Sequence, residues 1–435
     1  MKSTNVLTKR QRIAMLAKQM PHLSFTSLNQ HIDEEWMVEA YKQLKKKCSP
    51  GVSGETVSDY GENLYNNIST LIDRAKSGFY VAPPVRRVYI PKDDKGIEKR
   101  KIGIPETEDK LLQRAVVMLL EPIYEQEFLN CSYGFRPEKS AHQALDSIWK
   151  NLMGTKGGWV IDLDIRKFFD TLDHAELRKL LKQRVCDGVI MRLIGKWLNA
   201  GVMDKGNISY PDQGSPQGGV VSPMLSNIYL HYVLDKWFIE EIKPRLKGKA
   251  ELVRFADDAV LLFKCKEDAL RVFEVLPKRF MKYGLTIHPE KSQMIEFLAP
   301  NGGKRSNSFD FLGFTHFWSR SRKGNWIVKR KTAKDRLRRT IKKFSKWCRS
   351  NRHMKIVEQY KKLSQKLNGH YNYFGITGNS KCLGQIFYRV RQIWRYWLNK
   401  RRRENEMPWD RFLNLEKHLK LPLPRAKHSV CIANL

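Results

Sequence analysis

Residues 252–263 read Leu-Val-Arg-Phe-Ala-Asp-Asp-Ala-Val-Leu-Leu-Phe, two short apolar runs around a polar pair. That pattern predicts a β-hairpin with Asp257 and Asp258 at its turn. Residues 158–170 read Gly-Trp-Val-Ile-Asp-Leu-Asp-Ile-Arg-Lys-Phe-Phe-Asp. On a strand Asp162 and Asp164 share one face while Ile161 and Leu163 share the other. Helices are expected to begin near Asp173 and at Ser222-Pro223. Toward the end of the chain the period changes. Ala333, Leu337, Ile341, Phe344 and Cys348 recur at helical spacing, with Lys and Arg filling the other faces. Val357, Tyr360, Leu363 and Leu367 predict a second helix. Phe387, Val390, Trp394 and Trp397 predict a third, ending in Lys400-Arg401-Arg402-Arg403. These three read as a small bundle with cationic outer faces. Residues 299–304 and 319–325 are polar and turn-like, and a domain boundary is expected near 315–330.

Charge sharpens this picture. The chain has 435 residues, 80 Lys and Arg against 45 Asp and Glu, and a formal net charge of +35. Residues 321–435 hold 31 of those cations and 6 of the acids, a net of +25, which leaves +10 for the first 320. Such an excess costs self-repulsion and has no folding rationale, so a polyanionic partner is expected. A hydrophobic content of 41% excludes wholesale disorder. No apolar run is long enough for a membrane helix. The basic N-terminus lacks the apolar core and cleavage site of a signal peptide. Seven scattered cysteines without a Cys-x-x-Cys pair support neither a disulfide framework nor a zinc ribbon, so a reducing, cytoplasmic setting is expected.

The carboxylates carry the candidate chemistry. Adjacent Asp257 and Asp258 repel and raise each other's proton affinity. By itself the pair is either an Asp-rich turn or a site for a hard divalent cation, for which Mg2+ is suited. Asp162 reads as an edge carboxylate in solvent. An acid at the end of one strand facing an acidic hairpin turn is what a two-metal phosphoryl-transfer site requires.

Several short blocks then occur in order. They are Ile-Pro-Lys (90–92), Arg-Lys-Ile-Gly-Ile-Pro (100–105), Ser-Tyr-Gly-Phe-Arg-Pro (132–137) and Asp-Leu-Asp-Ile-Arg-Lys-Phe-Phe-Asp (162–170). Gly-Ser-Pro-Gln-Gly-Gly (214–219), Phe-Ala-Asp-Asp (255–258), Gly-Leu-Thr-Ile-His-Pro-Glu-Lys (284–291) and Phe-Leu-Gly-Phe (311–314) follow. Together they resemble bacterial group II intron-encoded reverse transcriptases and maturases. Residues 367–375 and 394–403 resemble the maturase-specific thumb.

The resemblance implies an α+β right-hand polymerase fold. Fingers and palm would span 1–315, an all-α thumb 316–403, and a short basic tail without a nuclease domain 404–435. It implies that Asp164, Asp257 and Asp258 are the catalytic, metal-binding acids of a two-Mg2+ site. Lys92 and Arg100 would grip the incoming triphosphate, and Gln217 would touch the nascent base pair. Lys291 would donate a proton or contact phosphate. Phe169 would lie under the sugar and collide with a ribonucleotide 2′-OH, with Phe168 competing for that role. The segment 133–137 reads as mainly structural. Implied partners are deoxynucleoside triphosphates, an RNA template with a DNA primer, and a structured RNA. Arg401, Arg402 and Arg403 are candidate contacts to RNA phosphates.

The function implied is RNA-directed DNA synthesis together with binding of an intron RNA to promote its splicing and mobility. The alternative is a domesticated relative without an intron, serving phage defence, CRISPR spacer capture or repair. A pure RNA-binding splicing factor is disfavoured by the intact acids, and an RNA-dependent RNA polymerase by Phe169. Two departures from the family pattern stand out: Phe255 where Tyr is usual, and Ser215 where Thr is commoner.

Overall fold

The computed structural model describes residues 2–91, 98–204, 206–210, 214, 218–301, 306–401 and 407–428. In chain order its strands are β1 (Val85–Pro91), β2 (Lys99–Ile104), β3 (Gly157–Leu163), β4 (Val202–Asp204) and β5 (Asn207–Ser209). Then come β6 (Ala250–Phe255), β7 (Asp258–Phe263), β8 (Gln293–Leu298), β9 (Phe309–Phe311), β10 (Phe314–Arg320) and β11 (Trp326–Thr332). They form three sheets, ordered β2-β1-β4-β5, β6-β7-β3-β8 and β11-β10-β9. With the helices this is an α+β fold. The chain divides into two compact units, residues 1–144 with 161–294 and residues 145–160 with 295–435.

In the first unit the helix Thr107–Tyr124 is buried on nearly every side, and the helices Lys2–Gln19 and Glu34–Lys42 pack on it. Polar residues buried in such a helix need partners. The Tyr80 hydroxyl donates to Asp109, and the Lys110 ammonium donates to the Ser49 carbonyl at 2.7 Å. Gln113 Oε1 accepts from the backbone N–H of Val220 at 2.8 Å, which anchors the end of the glycine-rich loop. Burial pushes the Asp109 carboxyl up to about 7. The strand β7 lies between β6 and β3, and Ala259 through Phe263 are all buried, as an apolar run in a sheet covered on both faces should be.

In the second unit the helices Lys334–Ser350, Ile356–Phe374 and Ser380–Asn399 follow the expected periodicity. Their core includes Phe344, Cys348, Leu363, Leu367, Val390 and Trp394. Val357 departs from the expectation and is 50% exposed, because it lies in the first turn of its helix and faces outward. The helical part starts at Lys334. Residues 319–325, read as a boundary loop, include the tip joining the antiparallel strands β10 and β11. Phe314, His316 and Trp318 alternate inward there, a strand period masked by the polar tip. The described part of the tail, residues 407–428, packs into this unit. Phe412 of the helix Trp409–His418 is fully buried edge-on to Trp394, and Glu416 accepts from Arg391 Nε at 2.7 Å. No helix among the described residues is long and apolar enough to cross a membrane.

Candidate active site

The predicted hairpin forms, with β6 and β7 paired from Ala250↔Phe263 to Phe255↔Asp258. Ala256 and Asp257 make the two-residue turn, and Ala256 has φ +58°, a left-handed conformation unfavourable for a residue with a Cβ. Something must hold it there. The segment 131–134 lies along the outer edge of β6: the Tyr133 N–H donates to the Arg254 carbonyl at 2.8 Å, and the Arg254 N–H to the Cys131 carbonyl at 2.7 Å. A Cβ on Gly134 would stand 2.3 Å from the Ala256 nitrogen, so only glycine lets this segment back the turn.

Arg254 completes the clamp. It is wholly buried, and all five of its N–H donors are used. Nε and Nη2 fork onto Asp235 at 2.7 and 2.6 Å. Nη2 also reaches Ser132 Oγ at 2.8 Å, while Nη1 reaches Asn227 Oδ1 at 3.0 Å and the Ala256 carbonyl at 2.9 Å. Asn227 and Asp235 are eight residues apart on one helix. Its turns widen to π winding over His231–Asp235, and the extra residue per turn rotates Asp235 back toward the Asn227 face. The last of these bonds ties the network directly to the residue preceding Asp257.

Asp164 follows the last residue of β3. Its N–H donates to Ser292 Oγ at 3.0 Å, and its carbonyl accepts from the His288 N–H at 2.8 Å. The segment 287–292 thus fixes the backbone of Asp164 and brings Lys291 Nζ to 3.6 Å from its carboxylate. Both side chains are well exposed, so that pair contributes at most about 1 kcal/mol. Burial pushes the Asp257 carboxyl above the usual range, and the negative charge of Asp164 pushes it further. Its own backbone N–H, Arg100 and Arg254 oppose the shift. Asp164 and Arg100 therefore each lie within electrostatic reach of Asp257. Asp258 is exposed at the start of β7.

The remaining predicted residues fall as follows. Phe168 is buried and packs on Tyr229, with ring centroids 6.4 Å apart. Phe169 stands edge-on to it at 5.3 Å and is only half-buried. Asp173 caps the helix His174–Lys182, accepting from the Glu176 N–H at 2.9 Å. Arg401 lies in the second unit, where its guanidinium donates to the carbonyls of Arg352 and Met354. Lys92, Gln217, Arg402 and Arg403 lie outside the described residues.

Residues 90–316, which contain all three acids, match the family described as reverse transcriptase (RNA-dependent DNA polymerase). The chain belongs to the reverse transcriptase family. It is 36% identical over 292 residues to Protein YkfC of Escherichia coli, covering 60% of this chain and 76% of that protein. It is 38% identical over 204 residues to the group II intron-encoded protein LtrA of Lactococcus lactis, covering 46% of this chain and 33% of LtrA. A nuclear intron maturase 2 of Arabidopsis thaliana is 28% identical over 224 residues, 40% of this chain and 30% of that protein. These relatives place this reverse transcriptase, an RNA-directed DNA polymerase by family, in the group II intron type. The chain spans about a third of the length of LtrA.

Local sequence pattern does not single out Arg254, Asp235, Asn227 and Ser132 in this reverse transcriptase. The available signal was Arg254 itself, a cation flanked by Leu252, Val253 and Phe255 in a strand, which implies a buried counter-ion. Its side-chain partners come from 19 to 122 residues away, which no local pattern indicates.

Proposed function

We propose that Asp164, Asp257 and Asp258 hold Mg2+ and carry RNA-templated DNA synthesis. The observation behind this reading is that Asp164 and Arg100 both act electrostatically on Asp257, within the region that matches the reverse transcriptase family. The described residues contain no ready-made cluster of three or more His, Cys, Asp or Glu ligands. The carboxylates of Asp164, Asp257 and Asp258 offer hard oxygen donors of the kind Mg2+ takes, commonly one or two carboxylates together with substrate phosphates and water. When bound, the metal would activate the primer hydroxyl and neutralise charge on the triphosphate. Arg100 supplies a forked cation for that triphosphate. The Arg254 clamp aims the hairpin, and the 287–292 segment holds Asp164 and presents Lys291. The direct test is extension of a DNA primer on an RNA template with Mg2+ and deoxynucleoside triphosphates. Absence of any extension by the folded protein would remove this reading.

Phe169 is the proposed discriminator against ribonucleotides. Phe168 is committed to the core, whereas the Phe169 ring is partly open. Phe169→Ala is expected to raise the ratio of kcat/KM for a ribonucleotide over its deoxy analogue, because a ring that would meet the 2′-OH is removed. An unchanged ratio would move the discrimination to another residue.

The basic helices are proposed to bind a structured RNA and so to assist splicing of an intron. The helix Lys334–Ser350 carries eight Lys and Arg around a stripe that buries Phe344 and Cys348, leaving its cations outward. Neutralising Arg401, Arg402 and Arg403 together tests the expected share of the terminal triplet. Each lost phosphate contact flattens the log–log salt dependence by ~0.7–0.9. Arg401 already donates to two carbonyls, so the flattening is expected to match about two contacts rather than three. An unchanged slope would assign the affinity to the other cations.

A further inference from the structure

A second basic surface lies in the first unit, far in sequence from the cationic end of the chain. A cleft of about 630 Å3 is lined by Arg178, Lys182, Arg192, Lys196, Val81 and Tyr210, and no described acid lines it. That volume is in the ordinary range for ligand clefts. Two of the cations have structural partners. Arg192 donates to the Lys76 carbonyl at 3.1 Å and Lys196 to the Gly78 carbonyl at 2.7 Å, satisfying the C-terminal end of the helix Leu64–Ser77. Arg178 and Lys182 are different. They lie four residues apart on the helix His174–Lys182, so they share a face, and both are exposed. Neither is paired with a carboxylate among the described residues.

Two glycines seat the side chains of this cleft. A Cβ on Gly195 would stand 2.9 Å from an Arg178 guanidinium nitrogen, so the guanidinium rests on bare helix backbone. A Cβ on Gly201 would stand 3.0 Å from the Tyr210 ring. The ring therefore lies against that backbone, yet Tyr210 remains 73% exposed. An aromatic ring supported on one side and open on the other is a stacking platform, and unpaired cations beside it suit phosphates.

We propose that this cleft binds single-stranded RNA, with phosphates on Arg178 and Lys182 and one base stacked on Tyr210. A duplex is a poor occupant, because its bases are already stacked and offer no face to the ring. An acidic peptide would meet the cations and leave the ring unused. The proposal rests on the reverse transcriptase reading only for the class of ligand. Its test needs neither metal nor nucleotide, so failure of extension and failure of the cleft are separable.

The test is photo-crosslinking of the full chain to an oligouridine containing 4-thiouridine, in EDTA, with the crosslinked peptides mapped by mass spectrometry. Crosslink yield against RNA concentration reads the affinity of this site alone. A crosslink within residues 178–210 is expected, suppressed by unlabelled oligouridine and not by an equal concentration of blunt RNA duplex. Tyr210→Ala should weaken the site roughly five- to a hundred-fold, the range for loss of one stacked base, while Tyr210→Phe retains it. The double variant Arg178→Gln, Lys182→Gln should flatten the salt dependence at this site by about 1.4, two single-strand contacts. All of these side chains are exposed, so the variants should fold, and circular dichroism checks that. Absence of any crosslink in the segment overturns the proposal. So does equal competition by duplex or by an oligoglutamate peptide, or an affinity indifferent to Tyr210→Ala.

Discussion

Asp257→Ala and Asp164→Ala are each expected to reduce primer extension by roughly 10²–10³-fold or more, the scale of removing a group that stabilises transition-state charge, while RNA binding should stay nearly unchanged. Extension at the wild-type rate by either variant would refute the assignment. The double variant Asp257→Ala, Asp258→Ala should still promote splicing of a cognate intron, since that role is proposed for the basic helices. Asp257 also carries a stability signature. Its folded carboxyl is pushed up by burial, so the folded state holds its proton more tightly than the unfolded chain. Its contribution is then most favourable below the unfolded value and is lost as pH rises through the folded one. At neutral pH without metal the ionised carboxyl opposes folding. Asp257→Asn is therefore expected to melt higher than wild type at neutral pH, with the gain vanishing in acid. A melting temperature that falls at neutral pH would contradict the buried, charge-crowded placement.

Arg254→Met should be the most destabilising single change near the site. It leaves Asp235 buried without its counter-ion, and removing one member of a buried pair costs about 3–5 kcal/mol. Arg254→Lys should recover little, because an ammonium has three donors and cannot fork onto a carboxylate while reaching Asn227, Ser132 and Ala256. The double variant Arg254→Met, Asp235→Leu removes both charges, which is often near neutral for stability. It should regain most of the melting temperature measured by calorimetry, yet extend primers poorly. The donor to the Ala256 carbonyl is gone, and the left-handed turn loses a restraint beside Asp257. Recovery of stability together with wild-type extension would mean that the network serves folding alone.

Local pattern was enough for much of the candidate site. Two apolar runs around Asp257-Asp258 specify a hairpin because a strand's period is short and its turn residues are adjacent. Asp164 at a strand end, a helix beginning beside Asp173 and three amphipathic basic helices follow in the same way from spacing within one element. What the tertiary structure alone decided is of another kind. Whether Phe168 or Phe169 enters the core depends on Tyr229, some sixty residues later in the chain. Arg401 looked like a free cation in a basic run, but its donors meet carbonyls from residues 352 and 354. The polar stretch 319–325 looked like a boundary until the strands on either side of it were paired. Arg254, Asp235, Asn227 and Ser132 form one hydrogen-bonded cluster only because a strand, a helix and a loop segment converge. Arg178 and Tyr210 likewise meet a cleft through the bare backbone of Gly195 and Gly201. Spacing along the chain encodes which face a residue takes within its own element, whereas hydrogen-bond partners and ring neighbours are set by which elements pack together.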